Sequence, residues 1–393
     1  MACWIGKSTS GEQITPETAL GISSYYACIK VISEDLAKLP ITVYKKEDKQ
    51  RVNVDGHIVD DFLNFEVNPT MGASVFRMTV TSHALGWGGG FAEIQRSYDG
   101  TPVALWLIHP SRVAPELKGE SLKWNVLNDD GTKSVIDDVD IFHIHTFGHD
   151  GVQGYTPADI GRENLGIALA EIKFGGMFYG NGTNLGGILE HPAKLSDPAY
   201  KRLREHWNTR YKGNEKSHET AILEEDMKYK PLGVNPKDAQ FIEGRQFSVE
   251  EICRWFRVAP HKIQHLLRAT FSNIEHSNID HVIDTLLPWV VIWETEIRRK
   301  LFNRTTEKKH RAKVKLQGLL RGDNASRASY YNTMYHIGAM NPNEIREFED
   351  MNPRDKGEEF MSQANMISDK QRMIESNNPQ QTKQLPQEQI NEE

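Results

Sequence analysis

Apolar residues recur along this chain in two rhythms, one of period near 3.6 and one of period two, and the switches between them mark its elements. Thr15-Pro16-Glu17 pairs a capping side chain with a proline and opens a helix, placing Ile22, Tyr26, Ile29, Val31, Ile32 and Leu36 on its buried side. "LPITVYKK" (39–46) alternates and predicts a strand. A helical turn near 61–64 and the turn signal Asn68-Pro69 follow. "SVFRMTVTSHALGWGGG" (74–90) predicts a helix stopped by glycines. "FAEIQRS" and "VALWLIHP" form one hairpin across Tyr98-Asp99-Gly100. "SLKWNVL" and "TKSVI" form another across Asn128-Asp129-Asp130-Gly131, and "VDIFHIHTF" (139–147) adds a strand. Residues 15–150 therefore predict an α+β domain with an antiparallel sheet.

Beyond a loop at 148–154, Thr156-Pro157-Ala158-Asp159 opens a long helix that Gly180-Asn181-Gly182 closes. A small α/β insert comes next: "GGILE" (186–190), a helix begun by Asp197-Pro198, and the strands "TAILE" and "MKYKPL". Asn235-Pro236-Lys237-Asp238 starts a further long helix with Val249, Ile252, Trp255 and Phe256 at helical spacing. Ala259-Pro260 should end it, because the residue before proline disfavours helical geometry. A basic, apolar loop carrying Lys262, His265 and Arg268 leads into "IEHSNIDHVIDTLLPWVVIWETEIRRKLF". Pro288 sits mid-helix there and predicts a kink. "RAKVKLQGLL" (311–320) predicts a strand returning to the first domain. Asp323 caps a helix closed by Gly338, and Asn341-Pro342-Asn343-Glu344 opens a last short one. After Phe360 the chain is rich in Gln, Asn, Glu and Pro, which predicts disorder.

Composition narrows the function. The 393 residues suffice for two or three domains, and a net charge of −7 argues against a tight, sequence-independent DNA binder. Cys3, Cys28 and Cys253 have no paired spacing, which fits a reducing compartment without a disulfide framework. There is no signal-peptide pattern. The longest apolar run, "LLPWVVIW", falls far short of the roughly 20 residues of a membrane span, so no membrane association is expected.

Chemical motifs are few. His143 and His145 share one face of a strand and could ligate a metal, but no further ligand is evident, and an ordinary strand is the simpler reading. "GWGGGF" lacks the lysine and hydroxyl of a phosphate loop and reads as a helix end. Glu224, Glu225 and Asp226 read as a solvated turn rather than a two-metal nuclease centre. No catalytic motif, metal site or cofactor site is expected, which sets aside the main alternative, a nuclease or NTPase of a mobile element.

The order of segments resembles the HK97-type portal proteins of tailed bacteriophages. "YYACIKVISEDLAKLPITVYKK" is similar to the family's opening helix and strand, and "DIFHIHTFGHDGVQGYTPADIGRENLG" to its His-containing strand, Gly-rich loop and helix start. "NPKDAQFIEGRQFSVEEICRWFRVAPHKI" and "LQGLLRGDNASRASYYNTMYHIGAMNPNEIREFEDMNP" match two further signatures, while Gly88-Gly89-Gly90-Phe91 departs from the usual Gly-Asn-Ala-Tyr turn.

The resemblance implies a portal fold: an N-terminal arm (1–14), a wing (15–156), a stem helix (157–180), a clip (181–237), a second stem helix (238–258), a tunnel loop (259–275), a kinked helix (276–303), a wing return strand (304–320), a crown (321–360) and a disordered tail (361–393). It implies no enzyme but a dodecameric ring at one capsid vertex, through which double-stranded DNA is packaged and ejected without sequence specificity. The implied partners are the terminase large subunit, a head–tail adaptor, and the major capsid protein or a scaffold, in the host cytoplasm during assembly and in the virion afterwards. In that frame Lys262, His265 and Arg268 face DNA and Pro288 sets the helix kink. Lys201, Arg202, Arg204, Glu224 and Glu225 lie on the clip, where terminase or adaptor would dock.

Overall fold

The computed structural model describes residues 6–48, 50–54, 56–180, 187–191, 195–211, 227–231, 238–266, 278–303, 305–316, 319, 324–349 and 351–360. The expected tail (361–393), Arg268, Glu224 and Glu225 lie outside these. The chain forms two compact units, residues 1–316 and 317–393.

In the first unit the fold is α+β, and its strand ladders are antiparallel. The opening helix Ser23–Ala37 packs against the helix Ala73–Trp87. Alternation in Ile41–Glu47 buries Ile41 and Val43, and this strand pairs with Gln50–Asn53 on one side and with His310–Val314 on the other. The chain thus returns to its first sheet after more than 250 residues. A second sheet orders Ile141–His145, Gly89–Arg96 and Pro102–Ile108. A third orders Lys133–Asp137, Ser121–Leu127 and Val113–Lys118. Phe91, Ile108, Val113, Trp124, Val126 and Ile141 form one buried cluster between these two sheets.

The glycine run after Trp87 is a helix end. Gly88 closes the helix with φ +82, a conformation that costs glycine nothing. Gly90 is required for a different reason: a Cβ there would lie 2.1 Å from the carbonyl oxygen of Val80. Gly90→Ala must therefore push the strand off the helix. The expected loss is about 1–3 kcal/mol, an overpacking cost, read as a lowered denaturant midpoint with unchanged slope.

Three expected helix boundaries shift, and one expected segment gains detail. The opening helix is two pieces. Thr15 and Thr18 close a capping box on a four-residue helix, Pro16–Ala19, and the chain turns before Ser23. Its buried face is then Tyr25, Cys28, Ile29, Ile32 and Leu36, with Tyr26 exposed. Second, the N-terminal arm carries a strand pair: Gly6–Lys7 pairs with Gln13–Ile14, and Thr9 donates to Glu163 from its amide at 2.9 Å and its hydroxyl at 2.5 Å. Gly166 leaves room for Ser8, which a Cβ would meet at 2.3 Å. Third, the long helix opened by Thr156 breaks at once: Pro157–Ile160 is one turn, and Arg162–Gly180 follows Gly161, whose missing Cβ makes room for the Trp255 ring. Fourth, the helix Asp238–Phe256 stops before Ala259, as described below.

In the insert, Gly187–Glu190 pairs with Lys228–Pro231, and the helix Asp197–Tyr211 lies between them in sequence. The second unit contains the helices Asn324–His336 and Pro342–Phe348. Asn341 and Glu344 form a capping box, and Glu349 joins the two helices by accepting from Tyr331 Oη at 2.7 Å and pairing with Arg327 at 3.5 Å.

Candidate functional site

The chain between the helix ending at Phe256 and the helix that begins near Asn278 is the segment the fold works hardest to position. Ile252, Cys253 and Phe256 are buried, the spacing that puts one helix face against a neighbour. That neighbour is the opening helix, where Tyr25 meets Phe256 edge to face with ring centroids 5.3 Å apart. Arg257 then adopts φ +54, a left-handed residue of the kind that ends helices, and the amide of Val258 bonds back to the carbonyl of Cys253 at 3.0 Å. This cap, not Ala259-Pro260, terminates the helix. Pro260–Ile263 forms a 3-10 turn, Gln264 is left-handed at φ +64, and the amide of His265 bonds the carbonyl of Pro260 at 3.0 Å. The turn presents Lys262 and His265 half-buried, and Leu266 exposed.

The returning arm is held by three contacts. His281 is buried and its Nε2 lies 2.9 Å from Asp35 Oδ2 on the opening helix. Burial works against ionisation of Asp35, but hydrogen bonds from His281 and Lys38 outweigh it and hold the carboxyl below its ordinary range. Thr285 donates its hydroxyl to the carbonyl of Arg257, and His261 faces Asn278 at 3.4 Å, so the two arms are tied to each other.

Pro288 is exposed, and the helix is irregular ahead of it. His281–Leu286 is π-helical and Leu287–Lys300 is α-helical. Proline has no amide hydrogen to offer the preceding turn and its ring crowds the carbonyl four residues back. A widened turn upstream relieves both, and such turns accompany kinks.

At its far end the same helix is pinned by buried charge. Lys300 and Glu296 are both almost wholly inaccessible; Lys300 Nζ lies 2.8 Å from Asp138 Oδ2 and 3.9 Å from Glu296 Oε1. Glu296 also accepts from the amide of His143 at 3.3 Å. Burial pushes the Glu296 carboxyl up and the Lys300 ammonium down, while Asp138, bonded to Lys300 and Trp124, stays below its ordinary range despite burial. None of this was visible as a motif, because Asp138 and Lys300 are far apart in sequence.

The remaining candidates sit elsewhere. Lys201, Arg202 and Arg204 are exposed on the helix Asp197–Tyr211, a different element from the turn that carries Lys262. His143 is a core residue: it stacks on Phe91 at 4.4 Å, and burial drives its pKa down to about 3. Among the described residues no cluster of three or more His, Cys, Asp or Glu could hold a metal, and no helix is long and apolar enough to cross a membrane.

Comparison with known proteins decides the family. The phage portal protein family model matches residues 23–350. The chain belongs to the phage portal protein family. The probable portal protein of Streptomyces phage phiC31 is 29% identical over 362 residues, covering 89% of this chain and 79% of that one. The portal protein of Enterobacteria phage HK97 is 28% identical over 360 residues, covering 90% and 84%. Among solved structures, the fold is similar to a chain in the neck of an empty gene transfer agent particle computed with C6 symmetry. That match has a TM-score of 0.59 at 21% identity and covers 90% of this chain and 98% of that one. A native-particle neck computed with C12 symmetry gives 0.56 at 20% identity, covering 86% and 92%. Family membership places the Lys262 turn and the Pro288 helix within the matched region.

Proposed function

We propose that this portal-family chain closes into a dodecameric ring at one capsid vertex, and that the ring is the channel through which double-stranded DNA enters the head and later leaves it. The observation that carries the reading is the family match across residues 23–350, together with alignment to two phage portal relatives over 89% and 90% of this chain and 79% and 84% of theirs. The long helix supports a ring on its own terms. Ile279, Ile283, Leu287 and Val291 repeat every four residues on one side and are each about a third to a half exposed, an apolar stripe that a single subunit leaves uncovered. In the ring it meets the neighbouring subunit.

The channel needs a wall that DNA slides past. A chain of net charge −7 repels phosphate, and the Lys262, His265 and Arg268 loops supply a narrow basic ring that touches the backbone without reading sequence. The loop is anchored at both ends on the opening helix, so a load on it passes into the domain core rather than bending a free strand. The terminase large subunit during packaging, and a head–tail adaptor afterwards, dock on the insert, where Lys201, Arg202, Arg204, Glu224 and Glu225 lie. The domain that carries the three sheets faces capsid or scaffold. The chain itself supplies no catalysis.

The Lys262→Ala/Arg268→Ala double variant tests the loop assignment. Assembled particles should retain less full-length DNA than wild type, with the deficit shrinking as added salt screens the wild-type contacts. Normal packaging and retention would remove the role given to these side chains. Pro288→Ala should restore α-helical hydrogen bonding ahead of residue 288 and shift the Lys262 turn. The check is slower amide exchange at residues 284–288 with an altered opening at the loops in averaged particle images, and an unchanged opening counts against it.

A further inference from the structure

We infer that Cys28 and Cys253 are a redox site, two thiols placed to form a reversible disulfide between the opening helix and the helix that leads into the Lys262 turn. Both side chains are buried, at 0% and 2% exposure, and they touch each other. Their helices are held in register by the adjoining turn: Tyr25 lies three residues before Cys28, Phe256 three after Cys253, and those rings pack edge to face at 5.3 Å. A further pair of contacts, His281 to Asp35 and Thr285 to Arg257, closes the same joint. The thiols therefore meet in a fixed geometry between elements remote in sequence, which is where a cross-link constrains the chain most.

Reactivity requires access, and the two cysteines differ in it. Cys253 lines a cleft of about 540 Å³ together with Glu250, Arg254, Arg257, Asp280 and Asp284, whereas Cys28 is fully buried and does not line it. The hydrogen bond between the thiols lowers the pKa of Cys253, and the same bond together with burial raises that of Cys28. Cys253 is the one that reacts first.

The oxidant is a peroxide, small enough for the cleft. The Cys253 thiolate attacks one peroxide oxygen, the O–O bond breaks, and hydroxide leaves to take up the thiol proton as water. The sulfur of Cys28 then attacks the Cys253 sulfenic acid, forming the S–S bond as its own proton and the sulfenic hydroxyl leave as a second water. Two thiols and one hydrogen peroxide give one disulfide and two waters, and a dithiol reverses the step. The chemistry does not depend on the portal reading. Its timing does: thiols stay reduced during assembly in a host cytoplasm, and the staple forms once a released particle meets oxidant.

The test treats the purified full-length protein with increasing hydrogen peroxide, blocks free thiols, and maps cysteines by mass spectrometry without reduction. A Cys28–Cys253 linked peptide should rise with dose and disappear with dithiothreitol, and the thermal midpoint of the linked protein should rise by roughly 5 °C. Cys28→Ser should abolish the link and leave Cys253 to oxidise to sulfinic acid. The wild-type map decides the matter by itself if that variant does not fold. Cys3 serves as the internal control. Free Cys28 and Cys253 in a sample whose Cys3 is fully oxidised would overturn the assignment, as would linked peptides that pair either cysteine with Cys3.

Discussion

Lys300→Ala is expected to cost about 3–5 kcal/mol of stability, among the largest losses any single substitution in this chain should produce. The ammonium of Lys300 is buried between Asp138, at 2.8 Å, and Glu296, at 3.9 Å, and it also donates to the backbone carbonyl of Asp138. Removing it leaves the buried Glu296 carboxyl with the half-exposed Arg299 at 3.5 Å and the amide of His143. The loss comes from that stranded acid more than from the value of the pair. A double variant, Glu296→Leu/Lys300→Met, should therefore be much milder than Lys300→Ala, since replacing a buried ion pair by apolar groups is often near neutral. Urea unfolding of the three proteins checks this. Equal losses for the single and double variants would show that the volume of the site, not its charge, is what matters.

Acid should unfold the same domain well above the usual carboxylate range. Burial drives His143 to about 3, and burial followed by the charge of His109 drives His83 to about 4, against 6.5 for a free imidazole. As pH falls below 6.5, the unfolded chain takes up two protons that the folded chain refuses. Stability then falls with pH, by about 1.4 kcal/mol per pH unit for each histidine, until pH reaches about 4 for His83 and about 3 for His143. Together they give a slope of roughly 2.7 kcal/mol per unit between pH 6 and 4. Asp35 and Asp138, both held low, add their loss only below about pH 4, as they protonate. His143→Phe keeps the stack on Phe91 while removing one titration, so its thermal midpoint should drop about half as steeply from pH 6 to 4. Profiles of equal slope for wild type and variant would contradict the account.

Much of the architecture was legible because local chemistry and fold agree at most positions. Period-two alternation at 41–47, hairpin turns at Gly100 and Gly131, the Asn341 capping box and the glycine stop after Trp87 each carry their own signal. Boundaries failed where a backbone conformation chose the stop. Arg257 is left-handed without being glycine, so nothing in its residue type announced the helix end at Phe256, four residues ahead of Pro260. The break at Gly161 answers to the Trp255 ring, a tertiary contact. Pro288 announced an irregular helix but not its form, a π-helical turn beginning seven residues earlier. The site divides in the same way. Lys262 and His265 stood out as basic residues between two helices, whereas the groups that anchor their turn, Asp35 and Cys28, sit more than 200 residues away on the opening helix. Pairings of that separation are made by the fold, and a single sequence carries no trace of them.

The central claim is that this chain is a ring-forming channel, and negative-stain electron microscopy of the purified full-length protein, with its mass in solution, tests it most directly. The account predicts particles with a central hole and rotational symmetry, about twelve subunits each, with mass to match. A compact monomer in every preparation, including one co-expressed with capsid and scaffold proteins, would contradict it.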